Sequence, residues 1–355
     1  MPAPGHIATP APSRLWQRPV HLVGRVLFGV GIFLLTVWAT AALYFDFPVT
    51  GLRLPLAASY LIGVAIAIGL TRGRLLGIVI VIAGFLVVLI WWLSLKPSNN
   101  RPWQPDVAET AWVEIHGDQA TIHNLRNCEY RSEFDYTPRW ETKNIDLSQI
   151  RGVDVFITYW GSAYIAHPIV SFQVGDDDHV AFSIETRKEI GESYSALLGF
   201  FRTYELIYTI ADERDVVRLR TNYRTGEDVY LFRTTAGPQW ARELFLQYAR
   251  SANQLHERPR WYNALTRNCT TNIFQEVNAT GTPLANASRY DWRILLPGKG
   301  DEMLYESGNI VTGGLPFAQL KAQAHINPAA HESTPETFSR RVREGRVGFT
   351  AAASR

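Results

Sequence analysis

The sequence predicts an α+β domain carried behind three transmembrane helices. Three observations lead there: three long uncharged apolar runs before residue 96, a middle section of alternating apolar and polar residues, and later stretches with helical spacing. The apolar runs are Val26–Phe45, Leu54–Thr71 and Leu75–Leu95, of 20, 18 and 21 residues. A helix needs about 20 residues to cross a hydrocarbon layer of ~30 Å. The first run is too long for a secretory leader, whose apolar core spans about 7–15 residues, although Trp38-Ala-Thr-Ala-Ala42 loosely resembles a cleavage site.

Basic residues set the expected orientation. Arg14, Arg18 and Arg25 precede the first run, and Arg72 and Arg74 separate the second from the third, whereas the loop between the first two holds only Arg53. Both basic segments therefore belong in the cytoplasm. Three crossings then place the chain beyond Leu95 on the far side of the membrane, which is the periplasm, with the helices in the inner membrane, if the source is a Gram-negative bacterium. The expected plan is a loose tail over 1–19, a membrane region over 20–95, a proline-rich linker over 96–110, a periplasmic domain over 111–327 and a flexible tail over 328–355. Trp91, Trp92 and Trp103 suit the membrane interface. A net charge of +2, from 35 cationic and 33 acidic residues, gives no electrostatic footprint for nucleic acid. No spacing of cysteine and histidine suits a metal, and no cofactor is expected.

Within the domain, Trp112–His116 and Ala120–His123 flank a Gly-Asp turn and read as a hairpin. Val153–Tyr159 is a strand. Tyr164–Val174 and His179–Arg187 are two strands joined by the acidic turn Gly175–Asp178. Val170, Phe172 and Val174 share one face, as do Val180, Phe182 and Ile184, so matching the apolar faces fixes the parity of pairing. His167 and Ser171 then fall on the opposite face with Ser183, Glu185 and Arg187. Gly191–Arg202 suggests a turn and a short helix, Glu205–Ala211 a strand, Asp212–Arg224 a charged helix or extended segment, and Asp228–Arg233 a strand. Pro238–Leu255 reads as an amphipathic helix, with proline in its first turn and Trp240, Leu244 and Tyr248 four apart. Pro316–Ala324 is also helical. Gly298 and Gly300 do not follow a strand and open a helix as a phosphate loop requires.

The chemistry-bearing stretch is Trp261-Tyr-Asn-Ala-Leu-Thr-Arg-Asn-Cys269-Thr-Thr-Asn-Ile-Phe274, a polar loop ending at a cysteine that opens a helix. Unpaired N–H groups and the helix dipole there favour a thiolate, lowering a thiol pKa from about 8.5 to roughly 3.5–7.5. A histidine beside a carboxylate on one sheet face, His167 with Glu185, makes a base with its orienting partner. If His167 meets Cys269, the chemistry is acyl transfer through a thioester, with N–H groups at the helix start receiving the oxyanion. Asn268 adds a side-chain donor or, alternatively, caps the helix. Against this stands a structural disulfide between Cys128 and Cys269, natural in an oxidising compartment.

The strings Ala-His-Pro-Ile-Val-Ser-Phe, Ser-Ile-Glu-Thr-Arg-Lys-Glu, Gly-Glu-Ser-Tyr-Ser, Tyr-Glu-Leu-Ile-Tyr and Trp-Tyr-Asn-Ala-Leu-Thr-Arg-Asn-Cys-Thr-Thr-Asn, in that order, resemble the family named for the Lnb N-terminal periplasmic domain. Lnb is a bacterial lipoprotein N-acyltransferase, and the likeness runs from about Trp112 to Asn327. Histidine before cysteine also resembles the circularly permuted papain-like enzymes, such as lecithin retinol acyltransferase. That likeness implies a permuted papain-like fold with an antiparallel sheet and a cysteine-bearing helix, Cys269 as nucleophile and His167 as base. The third residue stays open: those enzymes often carry a second histidine about a dozen positions on, which fits His179, but His179 should lie beside the turn, and Glu185 is preferred. The expected activity is a cysteine acyltransferase, with membrane lipids, lipoproteins or cell-envelope peptides as partners. The alternatives are an envelope amidase or peptidase, and a non-catalytic binding domain with the disulfide.

Overall fold

The computed structural model describes residues 17–70, 74–281, 291, 293 and 296–349, in two units, Met1–Lys96 and Pro97–Arg355. The expected N-terminal tail up to residue 16, with Arg14, and the loop residue Arg72 lie outside the described residues.

The first unit is α1 (Gln17–Asp46), α2 (Thr50–Leu70) and α3 (Arg74–Ser94), all long and apolar enough to cross a membrane. Polar groups inside the apolar runs are satisfied locally: the Thr36 and Thr40 hydroxyls each donate to the carbonyl four residues back at 2.8 Å. At the end of α1 the Asp46 carboxylate accepts from Trp92 Nε1 at 2.6 Å.

The second unit runs β1 (Trp112–His116), β2 (Gln119–Arg126), β3 (Glu129–Tyr130), β4 (Tyr136–Thr137), β5 (Trp140–Asp146), β6 (Ile150–Trp160), β7 (Ser162–Val174), β8 (Asp178–Arg187), β9 (Glu205–Ala211), α4 (Glu213–Val216), β10 (Glu227–Arg233), α5 (Pro238–Glu257), α6 (Cys269–Ala279), α7 (Gly300–Glu306), α8 (Phe317–Ala324), α9 (Asn327–His331) and α10 (Phe338–Arg341). The main sheet has the order β1-β2-β9-β8-β7-β6-β10, with β5 on the other side of β2. It is mixed, not wholly antiparallel as expected: β2 and β9 run parallel where Arg126 meets Ala211. The reason is local. β1 covers β2 only as far as His123, and β9, its direction already fixed by β8, takes the backbone groups beyond.

Side-chain alternation divides two cores between the sheet faces. Val170, Phe172, Val180, Phe182 and Tyr208 face α5 and α6, where they meet Phe245, Tyr248 and Cys269. Phe172 and Phe182 pack edge to face, centroids 5.5 Å apart, and each meets Phe245 in the same way. The opposite core holds Phe156, Ile169, Ala181, Val216, Leu231, Ile326, Phe338 and Val342.

Several expectations are corrected here. The tail after residue 327 is no loose end: α9 and α10 bring Phe338 and Val342 into the second core, fully buried. Helices of four or five residues show no periodicity in sequence, which is why the segment reads as loose. The linker over 96–110 is likewise fixed to the domain. Trp103 is buried beneath the Arg187 guanidinium, 4.3 Å from its ring, so its side chain packs within the domain instead of being displayed for a bilayer. Arg187 also donates to Val107 O, Ala108 O and Asn99 Oδ1. Gly191–Arg202 contains only a 3₁₀ turn, Leu198–Phe200. Of the two alternatives for Asp212–Arg224 the helical one holds: it forms α4, capped by Asp212 accepting from Arg214 N, and then a π turn, Leu219–Tyr223.

Candidate functional site

The β7–β8 hairpin pairs Ile169 with Ser183, Val170 with Phe182 and Phe172 with Val180, the parity that the apolar faces require. His167 and Glu185 project from the face shared by Ser183. Ser183 Oγ donates to Glu185 Oε1 at 2.7 Å, so its lone pair accepts from His167 Nε2–H at 2.8 Å. That chain fixes the neutral imidazole with its proton on Nε2 and the lone pair on Nδ1. Arg220, on the π turn, closes the network at 3.5 Å from Glu185 Oε1 and 3.3 Å from Glu227 Oε2.

The electrostatics follow from burial and this arginine. Burial, then the Arg220 charge, push His167 down to about 3 against the opposing pull of Glu185, so the ring is neutral at physiological pH. Burial works the other way on Glu185, but Arg220, Arg126 and His167 outweigh it and hold the carboxyl below the usual carboxylate range. The result is an ionised glutamate beside an uncharged, oriented base.

Cys269 is the first residue of α6, as its sequence context suggested. Asn268 is the cap: its Oδ1 accepts from Thr271 N at 2.9 Å, and Thr271 Oγ1 accepts from Asn268 N at 2.9 Å. Asn268 Nδ2 donates to Ala264 O at 2.8 Å. The amide therefore braces the loop onto the helix, and its donor points at a backbone carbonyl instead of a reaction centre.

The thiol itself is not depressed. Burial pushes it up; contacts with Thr270, the N–H groups at the helix start and the Arg220 charge pull it down without overcoming burial. Its sulfur lies 3.9 Å from Thr270 Oγ1 and packs with the Phe172 core, whereas His167 belongs to the opposite strand face. The structure thus joins His167 to Glu185 and does not join His167 to Cys269. Arg220 is the group that acts on all three. The sequence reading missed it, because an arginine in a charged stretch looks like a solvated surface residue.

Cys128 and Cys269 are both free, which removes the disulfide. Cys128 is buried with Tyr130 and Leu219, and its N–H donates to Asp215 Oδ2 at 2.7 Å. His179 lies beside the turn, with Nδ1 3.3 Å from Asp177 O, and takes no part in the His167 network. Ser171 donates to Glu213 Oε1 at 2.5 Å, within a buried ion network: Arg343 reaches both Glu213, at 2.6 Å, and Asp154, at 2.8 Å. The turn carboxylates Asp176 and Asp178 pair with Arg151 and Lys143. Among the described residues no three or more His, Cys, Asp and Glu side chains converge as a metal site.

Beside Thr270 an apolar cavity of about 350 Å³ opens between the sheet and α5, α6 and α7. Thr270, Ile273, Phe274 and Val277 of α6 line it at helical spacing, facing Val155, Pro168 and Val170 of the sheet and Trp240, Leu244 and Tyr248 of α5. Pro297 and Gly300 also line it, and Gly298 between them must be glycine: a Cβ there would lie 2.4 Å from Ala163 O, so only glycine lets this segment approach β7.

A family model described as the Lnb N-terminal periplasmic domain matches residues 136–298, a span that holds His167, Ser183, Glu185, Arg220 and Cys269. The match and the three apolar helices fit a membrane-anchored periplasmic protein. Neither a curated protein nor a solved structure matches the chain.

Proposed function

We propose that this protein is a cysteine acyltransferase of the bacterial periplasm, held in the inner membrane by α1–α3, and that its domain is a permuted papain-like one. The observation that carries the reading is the apolar cavity beside Thr270, at the turn where Cys269 opens α6. Its volume lies at the low end of ligand pockets, about 300–1,000 Å³, and its lining suits a fatty acyl chain, each buried methylene contributing about 0.8 kcal/mol. A chain seated there would bring its carbonyl toward Cys269.

In this reading the Cys269 sulfur attacks the acyl carbonyl of a phospholipid or lipoprotein ester. His167 Nδ1 takes the thiol proton and returns it to the departing alkoxide, leaving a thioester. An amine then attacks the thioester, gives up a proton through His167, and leaves as the amide with the thiol restored. Glu185 and Ser183 hold the tautomer that this sequence needs, and the N–H groups of Cys269 and Thr270 receive the oxyanion. In the resting structure His167 and the sulfur lie on opposite faces of the sheet, so this step requires the start of α6 to rearrange against the sheet edge, a larger change than the tightening that substrate binding commonly brings.

The test is intact-mass measurement of the full chain incubated with phospholipid vesicles. The expected product carries one acyl group, released by hydroxylamine and absent from Cys269→Ala, and forms about 10²–10⁴-fold more slowly in His167→Ala. Cleavage of muropeptides by a protein that never acquires an acyl group would replace this reading with the amidase one.

A further inference from the structure

The domain exposes a group of large apolar side chains that the chemistry does not use: Ile190 (68% exposed), Tyr194 (49%), Leu197 (58%), Phe200 (47%) and Leu265 (55%). They come from two neighbouring loops. Ala264 N donates to Gly199 O at 2.7 Å, and a Cβ on Gly199 would press on Ala264 and Tyr262 at 3.1 and 3.2 Å. Both loops are braced, so the exposure is built in. Tyr204 OH donates to Ser193 O and accepts from Ser195 N, and the Asn263 carboxamide accepts from Leu265 N and Thr266 N. Large apolar side chains held out on two braced, neighbouring loops mark an interaction site.

Two features say what covers it. The first is the chain path. The segment entering the domain is fixed at the border of this patch: Ser98 N donates to Glu205, Gln104 N to Lys188 O, and Ile190 N to Pro102 O, while Arg101 lies over the Trp261 ring. Since α3 ends at Ser94, the slack before Ser98 is four peptide steps, at most about 14 Å. The second is charge. Arg258, Arg260 and Arg267 are exposed on the loop that carries Leu265, suited to anionic headgroups.

We propose that the loops 190–200 and 263–267 form a membrane-docking surface that inserts its apolar side chains into the periplasmic leaflet of the bilayer that α1–α3 span. Tyr262, beside Gly199 between the two loops, packs in the same core as Cys269. The proposal rests on surface and tether, not on acyl transfer, and its test involves no chemistry.

The full chain, with Cys128→Ala and Cys269→Ala, is placed in nanodiscs of phosphatidylcholine and phosphatidylglycerol. A fluorescent label is attached in turn to Leu197→Cys, Phe200→Cys and Leu265→Cys, with Phe134→Cys, also exposed but outside the patch, as control. The three patch labels are expected to be quenched by nitroxides on lipid acyl chains and shielded from aqueous iodide, and the Phe134→Cys label the reverse. Iodide access equal at all four positions overturns the proposal. Shielding from iodide without lipid quenching also overturns it, and points to a protein on this face instead.

Discussion

The two faces of the sheet divide the labour of this domain differently. Toward α5 and α6 the side chains are aromatic and aliphatic, and they enclose an apolar cavity and a thiol whose charge is suppressed by burial. Toward α9 and α10 the same strands carry Asp154, Ser171, Ser183 and Glu185, their polar groups neutralised by Arg343 and Arg220. A dry face can hold an acyl chain but cannot ionise a cysteine; a charged face can orient a base but offers no chain-binding chamber. On the proposed acyl-transfer reading, catalysis depends on whatever couples the two faces, and Arg220 is the group that reaches both electrostatically.

The sharpest way to break the comparison is to remove the charge balance of one face. Arg343→Met strands Glu213 in the core and leaves Asp154 to Arg233 alone, and should cost about 3–5 kcal/mol, seen as a large fall in the thermal unfolding midpoint of the detergent-solubilised chain. Phe182→Ala on the other face should cost a similar ~3–5 kcal/mol by leaving a cavity. The two differ in remedy: adding Glu213→Leu to Arg343→Met, with Asp154 still paired to Arg233, should recover part of the loss, whereas no charge change rescues Phe182→Ala. Failure of that rescue would mean that the network specifies the fold in some way other than mutual neutralisation.

A smaller effect concerns acid. His167 binds its proton near 6.5 when unfolded and at about 3 when folded, so folding favours the neutral ring. Stability from this residue is complete above pH 6.5 and falls as pH drops toward 3, by about 2 kcal/mol at pH 5. His167→Gln should flatten that part of the stability profile. An unchanged acid slope in the variant would place the sensitivity on the carboxylates instead.

The coupling itself is read by alkylation of Cys269. Burial raises the thiol, so labelling of the native protein should be slow at neutral pH and quicken as pH rises, and Arg220→Met should slow it further at every pH. Rapid labelling near neutrality, indifferent to Arg220, would show that the thiol is not governed by this environment. The smallest change is expected at the cap: Asn268→Ala should cost about 1 kcal/mol, and Asn268→Ser only part of it.

Much of the fold was legible because its signals are local. Glu205–Ala211 reads as a strand from its own composition, the β7–β8 parity follows from alternation, and Asn268 before Cys269 announces a helix start. The site was legible in part. His167, Ser183 and Glu185 could be placed on one face from spacing alone, and they do form one hydrogen-bonded chain. The expected depressed thiol failed because a helix terminus is visible in sequence, whereas the desolvation that opposes it depends on which side chains arrive from α5 and the loops.

What the sequence determined by itself, then, are the features set by runs and periods: the three apolar helices, the strand parity and the cysteine at a helix start. Tertiary structure alone decided that Cys269 and His167 lie on different sides of a sheet, that Cys128 and Cys269 stay unpaired, and that the chain end closes the second core. Arg343 meets Asp154 across 189 residues. Periodicity is a property of one stretch of backbone, whereas the neutralisation of a buried charge depends on where a distant stretch returns, and no local pattern records that.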